Sequence, residues 1–368
     1  MGESALRYGL FGIGRCGCVH GQILLGQGQH IVALGDESSE AISASAQKLN
    51  LLQAARFTDP DTMARESGVD AVVISSHTRD HARHARPFIQ AGIPVYLEKP
   101  LTAELAEAFS FLDAIGPSRN RLQIGLQRRF DPALVYAKQL LDQKLIGEIR
   151  EFRSVLRDQY PPPPTYSSRG LIIDMGIHVA DEAHWLTGEF PCRVWAKMFH
   201  AKDYRSPIDE GGNTAHVGFL TPGGIIGRLD LSRTHAAGYN NETSIIGTRG
   251  VLQVGRFAGY PGPIHVELWT GNGQLHPASK TFQMTELPIG HAEFQPRFQT
   301  AYQNAHSHFR QALAHRADFL VTQNEVLDAQ VIVEAAHRSA LQGGVEKPLA
   351  RSANFTHYAN VCREAGLL

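Results

Sequence analysis

The chain has 368 residues, of which 43% are apolar and 19% charged, a balance that excludes overall disorder and coiled coil. The net charge of −1 gives no long-range attraction to nucleic acid or to an anionic membrane surface. No apolar run approaches the roughly 18 residues of a membrane span, and a strand pattern begins by Leu6, so we expect neither a membrane helix nor a secretory signal. Four cysteines are too few for a disulfide framework at this length, and we expect a cytoplasmic protein.

The first 125 residues alternate short apolar runs with helical patterns. The predicted strands are Tyr8–Ile13, Ile31–Leu34, Ala71–Ser75, Val95–Leu97 and Leu122–Ile124. The predicted helices are Gly17–Leu25, Glu40–Leu49, Asp80–Ala91 and Ala103–Ile115. This alternation is typical of βαβ units on a parallel sheet, and we place a first domain over residues 1–125.

The pattern changes from Glu148 onward, in a second domain placed over residues 126–368. Four consecutive prolines, Pro161–Pro164, predict an extended segment, and a helix is predicted over Leu171–Leu186. Predicted strands with glycine-rich turns follow: Glu148–Leu156 before the prolines, then Arg193–Phe199, Thr214–Leu220, Gly224–Leu231, Thr243–Ile246, Val251–Val254 and His265–Trp269. Close-spaced strands of this kind favour a large, mostly antiparallel open sheet, closed by helices over Phe298–Arg316 and Glu325–Gln342.

A glycine motif follows the first predicted strand. Gly12, Gly14 and Gly17 form G-x-G-x-x-G, with Ile13, Arg15 and Cys16 between them. The glycines permit a tight turn, the approach of backbone to a pyrophosphate, and close helix–strand packing. The helix that follows offers free N–H groups to the phosphates. The motif predicts a Rossmann dinucleotide-binding domain within an α/β fold.

An acidic residue lies where such a domain binds the ribose. Asp36 ends the second strand, 19 residues after Gly17, and Glu37 follows it. A 2′-phosphate would meet two negative charges there, so we expect NAD rather than NADP. The nearby Cys16 and Cys18 lack the partners of a zinc site, and we interpret them as small buried packing residues.

Two further segments contain residues suited to proton transfer. Glu98-Lys99-Pro100 follows the fifth strand, where sheet ligands bind, and a positive nicotinamide ring beside Lys99 would make it a proton acceptor or a donor to a hydroxyl. Asp174, His178 and Asp181 have the spacing of one helix face, which puts two carboxylates beside an imidazole. The alternatives are a structurally satisfied histidine, or a metal site that uses Asp174, His178 and His184.

Histidines and arginines alternate over residues 77–86. His77, His81 and His84 fall at helical spacing and are interleaved with arginines, which would repel a cation. We interpret the segment as a basic exposed helix face, with His81 near the cofactor.

Taken together, these motifs resemble the Gfo/Idh/MocA oxidoreductase family, and in particular its inositol dehydrogenases. The resemblance rests on the Gly12-to-Gly17 motif, Glu98-Lys99-Pro100 and Asp174-x-Gly176-x-His178, in that order. It extends to Gly125-Leu126-Gln127-Arg128-Arg129-Phe130-Asp131, to the segment from Gly238 to Gly250, and to Phe298-Gln299-Thr300-Ala301-Tyr302. The chain departs from the family pattern at Arg169-Gly170, usually Gly-Gly, and at Gly238-Tyr239-Asn240-Asn241.

The resemblance implies NAD as cofactor, a polyol substrate, and an open sheet that mediates a homo-oligomer, a dimer or a tetramer. It implies Lys99, Asp174 and His178 as the catalytic set. The residues expected to bind substrate are Lys99, Arg128, Asp158, Arg169, Asp174, His178, Asp181 and Tyr239. The residues expected to bind the cofactor are Gly12, Ile13, Gly14, Arg15, Cys16, Gly17, Asp36, Ser75, Ser76, His77, His81, Glu98, Lys99 and Gln127. No resident metal is expected.

The leading functional hypothesis is NAD-dependent oxidation of a secondary ring hydroxyl of an inositol or an unphosphorylated sugar. The alternatives are an NAD-dependent glycosidase on the same fold and a sugar-binding regulator that binds cofactor without turnover. The intact Glu98-Lys99-Pro100 and Asp174-x-Gly176-x-His178 motifs argue against the regulator. The residues leave open whether Lys99 or His178 is the final proton acceptor.

Overall fold

The computed structural model describes residues 5–159, 168–200, 212–256, 262–285, 287 and 294–368. The chain divides into two compact units, and the second comprises the described parts of Arg128–Ala301 with Asp328–Leu368. The first comprises the chain up to Gln127 together with Tyr302–Leu327. This returning segment, which the predicted domain boundary leaves in the second domain, is hydrogen-bonded to the first unit: the Ile124 N–H donates to the Val321 carbonyl at 3.2 Å. Pro161–Pro164 lie outside the described residues.

The first unit contains a parallel sheet of six strands in the order β3-β2-β1-β4-β5-β6. The strands are β1 (Arg7–Phe11), β2 (His30–Gly35), β3 (Ala55–Phe57), β4 (Ala71–Ile74), β5 (Val95–Leu97) and β6 (Leu122–Ile124). This order reverses between β1 and β4, and ligands of such sheets bind at the carboxyl ends of the strands at that point. The predicted Rossmann domain is confirmed. Strand β3 was not predicted, because its three residues, two exposed and one half-buried, carry no apolar run.

The helices of this sheet are α1 (Arg15–Gly26), α2 (Ser39–Lys48), α3 (Pro60–Glu66), α4 (His81–Gln90) and α5 (Leu105–Ile115), with 3₁₀ turns at Thr78–Asp80 and Gly116–Arg121. Side-chain caps fix where two of them begin: Ser38 accepts the Ala41 N–H, and Asp59 accepts the Thr62 N–H ahead of Pro60. Strand β4 lies in the core of this unit, and its four residues are fully buried. It supports the loops at the carboxyl edge.

The second unit contains a sheet of ten strands among the described residues. The strands are β7 (Ile149–Arg157), β8 (Arg193–Phe199), β9 (Thr214–Leu220), β10 (Ile226–Ser232), β11 (Asn240–Gly247), β12 (Gly250–Val254), β13 (Ile264–Thr270), β14 (Gln274–Leu275), β15 (Lys280–Phe282) and β16 (Lys347–Pro348). Their order is β14-β13-β12-β11-β7-β10-β9-β8-β16, with β15 also on β13. Only β7 and β10 pair in parallel among these strands. The predicted, mostly antiparallel sheet is confirmed.

The remaining helices are α6 (Pro132–Asp142), α7 (Leu171–Asp174), α8 (Gly176–Thr187), α9 (Gln295–His315), α10 (Gln323–Leu341) and α11 (Phe355–Glu364), with 3₁₀ turns at Gln127–Phe130 and Gly271–Gly273. The single helix predicted over Leu171–Leu186 is interrupted at Met175, where the His178 N–H donates to the Met175 carbonyl three residues back. Asp174 therefore ends one helical segment, while His178 lies on the next. None of the described helices is long and apolar enough to cross a membrane.

Candidate active site

The glycine loop has the geometry that dinucleotide binding requires. Gly12 has φ +79°, and a Cβ there would lie 2.2 Å from the Ser76 backbone nitrogen. A Cβ on Gly17 would lie 2.4 Å from the Gly12 carbonyl oxygen, whereas one on Gly14 would meet nothing within 4 Å. The first and third glycines thus permit packing that no side chain allows, and the second leaves the loop open to a ligand. Helix α1 begins at Arg15, so its first N–H groups are available to phosphate.

Asp36 lies at the carboxyl end of β2 and is held by the glycine loop. Its carboxylate accepts hydrogen bonds from the Ile13 N–H at 3.0 Å and from the Ser38 N–H at 3.0 Å. Ser75 supports the same loop from β4, since its hydroxyl donates to the Gly12 carbonyl at 2.8 Å. A fixed carboxylate at this edge matches the expected ribose contact, so the residues present fit NAD.

Glu37 does not add the free negative charge that we expected. Arg83 donates to its carboxylate at 2.5 Å and to Asp80 at 2.9 Å. The hydrogen bond from Arg83 lowers the pKa of Glu37, and the guanidinium offsets its charge. The prediction that a carboxylate opposes a 2′-phosphate therefore depends on Asp36.

The histidines of residues 77–84 differ in exposure, which corrects the interpretation of a basic exposed face. His77 is exposed, but His81 and His84 are buried. The His81 ring lies between two carbonyls, with Nδ1 2.7 Å from Pro100 O and Nε2 3.2 Å from Ser76 O. Burial lowers the pKa of His81. A neutral ring has one N–H, so it donates to one of the two carbonyls at a time, and Pro100 O is the nearer. The His81 ring thus contacts the backbone of two loops that contain predicted cofactor-binding residues.

Glu98, which follows β5, is anchored on both of its oxygens. It accepts the Lys99 N–H at 3.1 Å and lies 3.0 Å from His20 Nε2, and Nδ1 of that ring is 2.8 Å from His306 Nε2. Burial alone would lower the pKa of His20, but hydrogen bonds and charge from Cys16 and Glu98 outweigh it and raise the pKa to about 10. Lys99 thus follows a carboxylate fixed by a buried ion pair. Sequence reasoning missed His20 and His306, because 286 residues separate them.

Cys16 and Cys18 occupy different surroundings, which corrects their common interpretation as packing residues. Cys18 is buried, and its Sγ lies against the Ile13 carbonyl and Ser45. Cys16 is half-buried, and its Sγ lies 3.8 Å from His20 Nε2. Only Cys18 behaves as predicted.

Gln127 supplies an unused acceptor. Its side chain is buried, and Oε1 has no hydrogen-bond partner among the described residues. Buried polar atoms are rarely left unpaired, so this carbonyl fits a contact to a bound ligand.

In the second unit, Asp174 is fixed by an arginine that sequence analysis did not consider. Arg233 follows β10, is 1% exposed, and donates to the Asp174 carboxylate at 2.9 Å. A buried cation without a carboxylate partner is costly, so the pair holds each side chain in one position. A motif search centred on Asp174 and His178 gives no signal for a partner 59 residues away.

Two predicted substrate residues form buried ion pairs within the second unit. Asp181 is 1% exposed and accepts three hydrogen bonds from Arg129, at 2.8 to 3.1 Å. Arg128 is 2% exposed and donates to Glu182 at 2.5 Å. These contacts occupy the Asp181 carboxylate and one Arg128 N–H group, whereas the buried Arg128 Nε has no hydrogen-bond partner among the described residues. That both residues bind a polyol stays a prediction. Their role in the described structure is to pair α8 with the start of the second unit.

The other predicted substrate residues are placed as follows. Arg169 donates to Glu334 at 2.6 Å and keeps a side chain that is 23% exposed. Asp158 is half-buried at the end of β7, and Tyr239 is buried just before β11. His184, part of the metal alternative, lies 3.5 Å from Asp328 instead. No metal-competent cluster of three includes Asp174, His178 or His184 in the parts of the chain that the structure describes.

Comparison with known proteins agrees with this architecture. Residues 6–126 match the model of the oxidoreductase family with an NAD-binding Rossmann fold, and residues 134–253 match the GFO/IDH/MocA C-terminal domain. An inositol 2-dehydrogenase of Rhizobium meliloti is 29% identical over 92% of this chain and 97% of its own. A myo-inositol 2-dehydrogenase of Thermotoga maritima is 30% identical over 67% of this chain and 74% of its own.

A solved structure shows the same fold over nearly the whole chain. The apo scyllo-inositol dehydrogenase of Lactobacillus casei is 25% identical and has a TM-score of 0.77, over 93% of this chain and 98% of its own. The glycine loop, the fixed Asp36 and the two matched domains lead to one conclusion. The chain belongs to the Gfo/Idh/MocA family of NAD-binding oxidoreductases.

Proposed function

We propose that this oxidoreductase uses NAD to oxidise a secondary ring hydroxyl of a cyclitol, an inositol isomer, or of an unphosphorylated sugar. The observation that carries the proposal is the position of Lys99 at the carboxyl end of β5, after a doubly anchored Glu98. That edge of the sheet is where the glycine loop and Asp36 also lie. The names of the inositol dehydrogenases to which the chain is similar support this substrate class.

Bound NAD supplies the hydride acceptor, and the residues of the chain manage the hydroxyl proton. In the proposal, the Lys99 ammonium stabilises the developing alkoxide and His178 accepts the proton. Asp174 orients the imidazole, and Arg233 in turn holds Asp174 in place through their 2.9 Å hydrogen bond. An orienting carboxylate fixes the tautomer of a catalytic histidine, so its own position matters.

The proposal for substrate recognition is narrower than the sequence alone suggested. Arg169, Asp158, Tyr239 and the buried Nε of Arg128 remain as candidate contacts to hydroxyls, whereas the Asp181 carboxylate is already paired with Arg129. A pocket of hydrogen-bonding groups discriminates strongly against analogues that lack a hydroxyl, because its buried polar atoms are then unpaired. We expect the deoxy analogue of a substrate to be much poorer.

The experiment that tests the proposal follows NADH absorbance when the protein is mixed with NAD and a panel of candidate substrates. The panel contains inositol isomers, aldopyranoses, sugar phosphates and aliphatic alcohols at alkaline pH. We expect turnover of an inositol or a free pyranose, abolished in Lys99→Met. A clear preference for a phosphate or an aliphatic alcohol contradicts the substrate class. NADH binding without any turnover supports the regulator instead.

We also propose a homo-oligomer, a dimer or tetramer, formed through the sheet of the second unit. Large apolar side chains are exposed on its strands, among them Phe199, Ile226, Ile246 and Trp269. Exposed apolar groups of this size are typical of a surface that a second copy covers. Light scattering of the intact protein gives the mass, and a monomer at micromolar concentration contradicts the proposal.

A further inference from the structure

Three side chains of different chemistry converge behind the glycine loop. Cys16 comes from the first turn of α1, His20 from its second turn, and Glu98 from the end of β5. One ligand atom of each, a thiol sulfur, an imidazole nitrogen and a carboxylate oxygen, lies within 4.8 Å of the other two. His20 and Glu98 are buried, and Cys16 is half-buried. This is the one metal-competent cluster of three in the described residues.

Two of the three separations are close to those of ligands around one tetrahedral ion. Metal–ligand distances of about 2.3 Å to sulfur, 2.05 Å to nitrogen and 2.0 Å to oxygen put sulfur and nitrogen about 3.6 Å apart, and nitrogen and oxygen about 3.3 Å apart. The observed Cys16 Sγ–His20 Nε2 distance is 3.8 Å. The observed His20 Nε2–Glu98 Oε1 distance is 3.0 Å. Shifts of a few tenths of an ångström would bring these two pairs of atoms to metal-bound separations, and the ligand atoms of the third pair, Cys16 and Glu98, lie within 4.8 Å of each other.

The outer contacts of these side chains are also those of a metal site. A metal-bound histidine ordinarily gives its second N–H to an acceptor, and a ligating carboxylate is itself hydrogen-bonded. His20 Nδ1 lies 2.8 Å from His306 Nε2, which places His306 as the acceptor for the second N–H of His20. The second oxygen of Glu98 accepts the Lys99 N–H.

We propose that Cys16, His20 and Glu98 form a binding site for a divalent ion of the zinc class, with a fourth position left for water. Thiolate, imidazole and carboxylate together are ligands that zinc accepts. Binding replaces protons and changes no oxidation state: the Cys16 thiol proton and the proton on His20 Nε2 go to solvent. The ion would join the start of α1, which carries the phosphate loop, to the residue before Lys99.

The test is a titration of the full-length protein, free of NAD, with Co²⁺ and then Zn²⁺. We expect one equivalent of Co²⁺ to produce a thiolate-to-metal charge-transfer absorption, which Zn²⁺ then removes. Cys16→Ser should lose that absorption and bind Zn²⁺ at least about 100-fold more weakly. Cys18→Ser is the matched control, because Cys18 lies on the same helix with its sulfur against Ile13 and Ser45. It should behave as the unmodified protein.

A second variant tests the contact between His20 and His306. His306→Phe removes the acceptor for His20 Nδ1 and should weaken Zn²⁺ binding by about 10- to 100-fold, as loss of such a partner ordinarily does. Circular dichroism of each variant establishes that it is folded. The proposal is overturned if the unmodified protein binds no stoichiometric Co²⁺, or if Cys16→Ser and Cys18→Ser bind the metal equally. Because no substrate or cofactor is present, neither result bears on the proposed dehydrogenase activity.

Discussion

Polar side chains make different kinds of contact in the two units. In the first unit, apart from the His20–Glu98 ion pair, those around the glycine loop contact backbone: Asp36 accepts the Ile13 N–H, Ser75 donates to the Gly12 carbonyl, and the His81 ring lies against the Pro100 carbonyl. In the second unit they hold one another in ion pairs, such as Arg129 with Asp181. A loop whose backbone binds ligand needs its backbone fixed, whereas charges taken out of water need partners.

This difference affects how reliably the role of a site residue can be inferred from its sequence motif. A side chain that fixes a glycine loop sits beside the ligand, so its motif identifies its role. The spacing of a carboxylate from a histidine on a helix does not establish that the two interact. A buried arginine nearby can form an ion pair with the carboxylate instead. We therefore expect substitutions of residues that fix the glycine loop or handle the proton to affect binding or catalysis, and substitutions in the buried Arg129–Asp181 ion pair to affect folding.

The largest effect is expected for Asp181→Asn. It removes the partner of a buried guanidinium, and we expect the free energy of unfolding to fall by about 3–5 kcal/mol. Urea denaturation measures this change. Arg129→Met added to Asp181→Asn should recover most of the loss, because no buried charge then lacks a partner. Unchanged stability with a raised KM for the polyol would instead return Asp181 to the substrate pocket.

Removal of the proposed proton-handling groups comes next. Lys99→Met and His178→Ala should each lower kcat by about 100-fold or more, the usual contribution of a positioned acid or base. Fluorescence titration should show that both variants still bind NADH, since neither residue belongs to the glycine loop. A variant that keeps full turnover has no part in the mechanism.

Cofactor choice is the third prediction. We expect kcat/KM with NAD to exceed that with NADP by at least about 100-fold, equivalent to roughly 2.7 kcal/mol. Asp36→Ala should narrow this gap, because the carboxylate that opposes a 2′-phosphate is gone. Equal rates with both cofactors in the unmodified protein would falsify the assignment of Asp36 to the ribose.

A smaller effect is expected for a substitution of Arg233, the buried partner of Asp174. Arg233→Lys keeps the charge beside Asp174 but loses the guanidinium geometry, and we expect kcat to fall by about tenfold with little change in NADH affinity. The split between kcat and NADH affinity distinguishes positioning of Asp174 from general damage. An Arg233→Lys enzyme with normal kcat shows that Asp174 does not need this partner.

The smallest effect is expected for Glu37→Gln. Because Arg83 already offsets the Glu37 charge, the NAD-to-NADP ratio of kcat/KM should change by less than about threefold. The same assay used for Asp36→Ala measures it. A change as large as that of Asp36→Ala would show that both carboxylates face the ribose.

Much of the fold was predictable because local signals agree with the tertiary structure. The strand–glycine–helix pattern up to Gly17 and the alternation through Leu122–Ile124 correspond to the Rossmann order. Strand β3 and helix α3 were missed, although Asp59-Pro60 carries a cap and a helix-first proline. Asp131-Pro132 at the start of α6 was missed in the same way.

The sequence by itself determined the features that depend on neighbouring residues: the glycine loop, Asp36 after β2, and the Glu98-Lys99-Pro100 segment after β5. Glycine torsions, strand ends and helix starts are set within a few residues, so a linear pattern records them. Only the tertiary structure decided which charges pair and which side chains meet. His20 meets Glu98 and His306, and Asp174 meets Arg233, across tens to hundreds of residues. The pairing of buried charges depends on which elements pack together, and no local pattern contains that information.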